Sequence, residues 1–586
     1  MVMLRPPGVH IERGPARAAA LSLLDTAIPV FLGLAERGPT NEPVRLTGME
    51  EFYETFGRLD VGSYLAPSVD GFFLNGGREC YIVRIAHLFE RGRKEIATKA
   101  SARLRDSEKQ NTLQIQAHSE GMWGNQIRVS IKHVPSRIST FITVDGHPGD
   151  RSIMVKSTHG FARGTLVKIF DDEHAAYRVL TAVESRTLTW AEKEPLETGF
   201  RSSAPTMVEP VGFDMLVETY KTKENFRNIN LSRQSPNYIE RVVNGTSRLI
   251  TVTNLEALTP VPTCFPAEIS NVALDGGTDG LFTVAAEDFI GVDNGPGQRF
   301  GLAGIADLEL IDLLCMPDLA WCVERSAGFK SIKDVEIVQQ AAVTQCEERK
   351  DRFAILDFPP DSNPTGALQY RQLFDSSFCA FYYPYVIPSS GTGGKPMPPS
   401  GHVAGIYARC DEDQGVFRAP ANEPFRGVVD LALFLQQADI GSLNNEGINC
   451  IQAFPQRGIR IWGARTASSD PLLKFVNVRR TISTIARSLQ VGLQWVVFEN
   501  NDESLWSTMT RDVYFFLEEL WRAGYLSGTT PDQGFYVKCD AELNTPAVLK
   551  RGQMLVDIGL APFRPAEFIG VRVVQEVDVL AREDGT

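Results

Sequence analysis

The sequence predicts a multidomain protein of mixed α/β and α+β class, with a β-rich insertion and extended segments at both ends. Strand and helix patterns alternate in two stretches, one before residue 92 and one after 271, as in an α/β core. Between them, over 93–270, the apolar period is mostly two. Beyond about 445 two long amphipathic helices precede short strands, which is an α+β pattern. With 586 residues the chain exceeds the roughly 250–300 residues that one hydrophobic core sustains.

The elements follow in order. Residues 1–25 read as an arm, because Pro6, Pro7, Gly14 and Pro15 break helix while Val9 and Ile11 alternate with polar neighbours. Ile28–Gly33 reads as a buried strand, Glu50–Phe56 and Tyr64–Leu74 as helices, and Cys80–Ile85 as the next strand. In the insertion, Leu166–Phe170 and Thr187–Trp190 have strand character. The α/β pattern resumes with strands at Ile311–Cys315, Phe353–Asp357 and Phe378–Tyr383, with a helix at Asp334–Arg349 and another near Val403–Cys410.

In the last section Phe475, Val478, Ile482, Ile485 and Leu489 form one helical stripe, and Arg480 and Arg487 fall on the opposite face. Leu505, Met509, Val513, Phe516 and Leu520 form a second, with Arg511, Glu518 and Arg522 facing away. Strands are expected at Gly534–Asp540, Met554–Ile558 and Pro565–Val574. The domain reading is an arm over 1–25, a first part of the core over 26–92, the insertion over 93–270 and a second part of the core over 271–444. A C-terminal domain over 445–566 and a closing strand and tail over 567–586 complete it.

Composition narrows the function classes. Apolar content of 43% and charged content of 22% are ordinary for a globular protein. No apolar run reaches the length of a membrane span, and the first residues lack a secretory signal pattern. Nine scattered cysteines with no CxxC pair argue against a zinc ribbon or redox dithiol and suit free thiols. A formal charge of −13 disfavours nucleic-acid binding and demands local complementary patches if copies of the chain associate.

Candidate chemical motifs are weak. Gly391-Thr392-Gly393-Gly394-Lys395 lacks the hydroxyl residue of a phosphate loop, since Pro396 follows. Asp411-Glu412-Asp413-Gln414-Gly415 lacks the terminal glutamate of a calcium loop. His402 is the sole histidine of the resumed α/β section, and no Gly-x-Ser-x-Gly elbow accompanies it. No catalytic, cofactor-binding or metal-ligating residue is assigned. What stands out is the pair of ends: extended segments carrying Val9 and Ile11, and Phe568, Ile569, Val571 and Val573, suit donation to a neighbour's sheet edge.

Segments along most of the chain, taken in order, resemble one family. Pro7-Gly8-Val9-His10-Ile11-Glu12, Ala35–Pro39, Phe52–Gly57, Gly121–Asn125 and Leu274–Gly280 are similar to successive segments of contractile tail sheath proteins. Ser400–Gly405, Ala419–Asn422, Asn449–Phe454, Ile461–Thr466 and Pro565–Ile569 continue the resemblance, and the stretch near 135–210 lacks it. The resemblance implies a structural, non-enzymatic subunit of a phage tail or injection machine, with a core likened to subtilisin. It implies six-membered rings of the chain stacked around an inner tube, tied by exchanged terminal strands, with baseplate and tail-terminator or cap proteins as further partners.

Direct membrane insertion, nucleic-acid partners and cofactors are not implied. Assembly is expected in the bacterial cytoplasm, followed by residence in a virion or in a released or membrane-attached particle. A C-terminal domain facing the tube would make Arg480 and Arg487 candidate tube contacts. A subtilisin-like hydrolase and another self-assembling phage structural protein are the competing readings.

Overall fold

The computed structural model describes residues 21–58, 62–88, 96–133, 138–191, 193–257, 263–295 and 299–567. Val9, Ile11, Phe568, Ile569, Val571 and Val573 lie outside the described residues.

A central eight-stranded sheet organises the body. Its order is Val44–Leu46, Cys80–Arg84, Pro29–Gly33, Leu313–Cys315, Phe353–Asp357, Cys379–Tyr383, Ile448–Phe454 and Gly458–Trp462. The inner six strands are parallel and only the two edge strands run antiparallel. Buried on both faces, the inner strands are continuous apolar runs, as parallel sheets require. Successive side chains point to opposite faces. Val30, Leu314 and Leu356 pack under the helices Leu319–Arg325, Ile332–Arg349 and Pro364–Arg371. Phe31, Leu313 and Ile355 pack under Met49–Phe56, Leu65–Leu74 and Ser400–Gln414.

Local sequence sets the helix limits. Ser331 accepts the Lys333 N–H and Asp334 reaches back to the Ser331 N–H, a capping box that starts Ile332–Arg349. Asn363 caps Pro364–Arg371, whose first position is proline. Asp502 accepts the Leu505 N–H and starts Glu503–Arg522.

The chain leaves the sheet after Arg84 and rejoins it at Leu313. Between these points lie two β lobes where a single β-rich unit was expected. A four-stranded and a three-stranded sheet share one core with the helix Ile239–Thr246. Nested in that lobe, a six-stranded sheet runs from Thr140–Phe141 to Met207–Pro210 around Val155, Leu188 and Trp190. The strand Ile269–Ala273 pairs with Arg128–Lys132, so the β pairing continues past the expected limit at 270.

The C-terminal unit contains the helices Val476–Gly492 and Glu503–Arg522 and a hairpin sheet of Phe535–Lys538 and Asp557–Leu560. Two expectations are corrected here. Ile448–Phe454 and Gly458–Trp462, assigned to the C-terminal domain, complete the central sheet, because Cys379–Tyr383 pairs directly with Ile448–Phe454. The strand expected at Met554–Ile558 is Asp557–Leu560, in register with Phe535–Lys538.

Candidate functional site: the roots of the two chain ends

Segments far apart in sequence gather at two places. One is the junction of core and insertion. Arg84, 1% exposed, donates to the carbonyls of Ala35, Gly38 and Glu120 at 3.1, 3.0 and 3.0 Å. Burial pushes its guanidinium down to about 10, opposed by nearby Glu120 and Asp279. The Gly38 N–H donates to Ser119 Oγ at 3.0 Å, and the Met122 N–H to Asp279 Oδ1 at 2.7 Å. Gly121 has φ +132°, and a Cβ there would lie 2.9 Å from both Asp279 Oδ1 and the Glu36 carbonyl oxygen. Residues 35–39, 52–57, 121–125 and 274–280 thus form one weld whose hydrogen bonds are largely to backbone.

The second place is the helix Val476–Gly492, on which both ends of the described chain are seated. From the N-terminal side, Leu21 packs over Gly492 and the Leu24 N–H donates to Ser488 Oγ at 3.0 Å. Arg487 donates to the carbonyls of Asp25 at 2.8 Å and Ile311 at 3.3 Å. The Thr26 hydroxyl donates to Asp411 Oδ2 at 2.8 Å, and the N–H groups of Ala27 and Ile28 to Asp312 at 2.9 and 2.6 Å. Arg480 closes the array, donating to Asp411 at 2.9 and 2.5 Å and to Asp312 at 3.3 Å. Its guanidinium also lies 4.8 Å from the centre of the Tyr407 ring. Burial opposes the charge on Arg480, but Asp411 and Asp312 outweigh it and raise its pKa.

From the C-terminal side, Asn477 Nδ2 donates to the carbonyls of Phe417 and Phe563 at 2.8 and 3.0 Å. Arg465, just before the helix, holds Glu567 in a two-pronged ion pair, with Nε 2.7 Å from Oε1, and donates to the Asn444 carbonyl at 2.7 Å. Asn449 in turn accepts the Arg465 N–H at 2.7 Å and donates to its carbonyl at 2.8 Å. Asn477 and Ser488 are eleven residues apart, about 16 Å along the helix axis.

Arg480 and Arg487 are 3% and 8% exposed, so the expectation that these two residues are tube contacts is corrected: both are buried against the chain's own carboxylates and carbonyls. The helix is sandwiched between the C-terminal core and the central body, and its polar face meets buried carboxylates and carbonyls. Helical period distinguishes apolar from polar faces but not a solvated polar face from one buried against opposite charge. Asp411, considered above as part of a calcium loop, was the missed partner.

His402 is 1% exposed inside the helix Ser400–Gln414, burial pushes it down to about 4, and its Nδ1 has no hydrogen-bond partner among the described residues. It is a neutral packing residue against the helix Leu65–Leu74. Among the described residues no group of three or more potential metal ligands assembles, and no helix is long and apolar enough to cross a membrane.

Residues 328–467 match the phage tail sheath protein central domain, and residues 468–576 match the phage tail sheath C-terminal domain. Both matches are to the contractile tail sheath family, which the second half of the chain resembles throughout. The chain is 27% identical over 246 residues to a prophage major tail sheath protein of Pseudomonas aeruginosa, covering 40% of this chain and 61% of that one. It is 25% identical over 288 residues to the tail sheath protein of Burkholderia phage BcepMu, covering 47% of this chain and 58% of that one. The match therefore spans about 60% of these relatives' length.

The fold resembles the contracted helical sheath of the anti-feeding prophage, with TM-score 0.51, 18% identity and coverage of 98% of this chain and 100% of that one. It also resembles a sheath tail protein of Listeria innocua, with TM-score 0.52, 11% identity and coverage of 90% and 91%. The boundary between the two matched sheath domains at 467/468 falls after the last strand of the central sheet, in agreement with the corrected strand assignment.

Proposed function

We propose that the chain is the structural subunit of a contractile sheath, polymerising as stacked six-membered rings around an inner tube and shortening to drive that tube through a target envelope. The observation that carries this reading is the hairpin sheet Phe535–Lys538/Asp557–Leu560. It has two strands only, and both outer edges are unpaired among the described residues. One face packs on the helix Glu503–Arg522, which holds the pair in place with its edges open, and strands added from neighbours would complete the sheet.

Val9 and Ile11 in an arm over 1–25, and Phe568, Ile569, Val571 and Val573 in a closing strand over 567–586, are the proposed donors. The anchored segments at Leu21–Ile28 and Phe563–Glu567 support this assignment, since each brings a chain end to the unit that bears the hairpin.

The remaining partners follow from the same reading: an inner tube, a baseplate and a terminator or cap protein, with assembly in the bacterial cytoplasm before residence in a virion or injection particle. The role is structural, and no chemistry is assigned. The parallel sheet with helices on both faces supports a subtilisin-like core, but a shared fold brings no catalytic site. An extended sheath would be held above its contracted state by tube and baseplate. A difference of a few kcal/mol per subunit, summed along the polymer, would supply the work without nucleotide.

Deletion of residues 568–586 spares Glu567 and its pairing with Arg465, and is expected to give folded, soluble subunits that form no tubes. Tubes of normal appearance from the truncated chain would sink the strand linkage.

A further inference from the structure

The segment Leu24–Ile28 is held at five consecutive residues by polar groups, and most of these converge on one side chain. Asp312 accepts the N–H groups of Ala27 and Ile28, Asp411 accepts the Thr26 hydroxyl, and Arg480 bridges both carboxylates. Asp312 precedes the strand Leu313–Cys315, Asp411 lies in the helix Ser400–Gln414, and Arg480 lies in the helix Val476–Gly492. Besides their apolar packing, three separate elements are therefore joined by polar contacts at this hub and the segment it grips. Ala27 has φ +58°, in the left-handed region that disfavours a residue with a Cβ. The surrounding hydrogen bonds hold it there.

We infer that Arg480 is a positioning residue that sets the path by which the N-terminal arm leaves the body, and that it couples this path to the C-terminal unit. The inference rests on the sheath reading for its purpose, and on the hydrogen-bond geometry alone for its substance. Without the guanidinium, two buried carboxylates would face each other with no cation between them, and each would lose its reason to stay aimed at residues 26–28. The groups facing the hub are Asp312, Asp411, the phenols of Tyr407 and Tyr382, and Cys410 and Tyr525 near Asp411. Among the described residues, Arg480 is the cation within ion-pair distance of both aspartates.

The test is amide hydrogen exchange on the full chain held as soluble subunits, comparing wild type with Arg480→Met, Arg480→Lys and the exposed-surface control Arg511→Met. In Arg480→Met the amides of 24–28 are expected to exchange about tenfold faster at neutral pH while the strand Phe353–Asp357 keeps its protection. Acidification should restore part of that protection, since burial raises the Asp411 carboxyl and its protonation relieves the repulsion. Arg480→Lys should fall between wild type and methionine, keeping the charge without the two-pronged geometry.

Unchanged exchange at 24–28 in Arg480→Met, or acceleration spread evenly over the chain with no recovery in acid, would overturn the inference. Tube formation by the wild-type chain is scored separately by electron microscopy. Its failure would count against the sheath reading and leave the exchange result to judge Arg480.

Discussion

Asp357 ends a central strand, is 6% exposed, and accepts the Ser400 N–H at 3.1 Å. Burial pushes its carboxyl up to about 7, opposed by Ser400. An unfolded aspartate titrates near 3.9, so between about pH 4 and 7 the native state binds a proton that the unfolded chain does not. This residue's contribution to stability is therefore full below about pH 4 and is lost as pH rises through about 7, at about 1.4 kcal/mol per pKa unit. Asp357→Asn removes the dependence. Its melting temperature relative to wild type is expected to rise between pH 5 and pH 8, and parallel melting profiles would refute the assignment.

The same scale separates what sequence could and could not disclose. Arg480 and Arg487 were legible as residues on the polar face of a helix. Their burial was not, because Arg480 pairs with Asp411 and Asp312, 69 and 168 residues away in sequence, and Arg487 with the carbonyls of Asp25 and Ile311. Local pattern carries no information about such pairings.

Among the elements, the helices Leu65–Leu74 and Ser400–Gln414 cross closely beneath the sheet. A Cβ at Gly405 would lie 2.4 Å from the Phe72 carbonyl oxygen, which is backbone and cannot swing aside. Gly405→Val is expected to cost about 3 kcal/mol by forcing the helices apart, read as a lowered first thermal transition. An unchanged transition would mean that the crossing is looser than described.

Most strands and helices of the core were readable because each is a local pattern: a buried apolar run such as Phe353–Asp357, or a capped amphipathic helix such as Ile332–Arg349. Strand membership was harder. Ile448–Phe454 belongs to the central sheet through its pairing with Cys379–Tyr383, a partnership no window of sequence displays. The two β lobes likewise differ in which strands pair and share a core, although their strand patterns are alike.

Across the whole molecule, the two joints differ in kind. The insertion is welded to the core through Arg84 and backbone hydrogen bonds, whereas the C-terminal unit meets the body through the ionic hub at Arg480. The formal charge of −13 means that neighbouring copies repel over roughly 8 Å at physiological salt, so association must rest on short-range strand pairing and local complementarity.

The most direct test of this account is negative-stain electron microscopy of the concentrated full chain, purified alone, over a range of ionic strength. The account predicts hollow, helically striated tubes, favoured as salt screens the like charge. A monodisperse monomer at every concentration and ionic strength would contradict a chain built to link itself into a sheath.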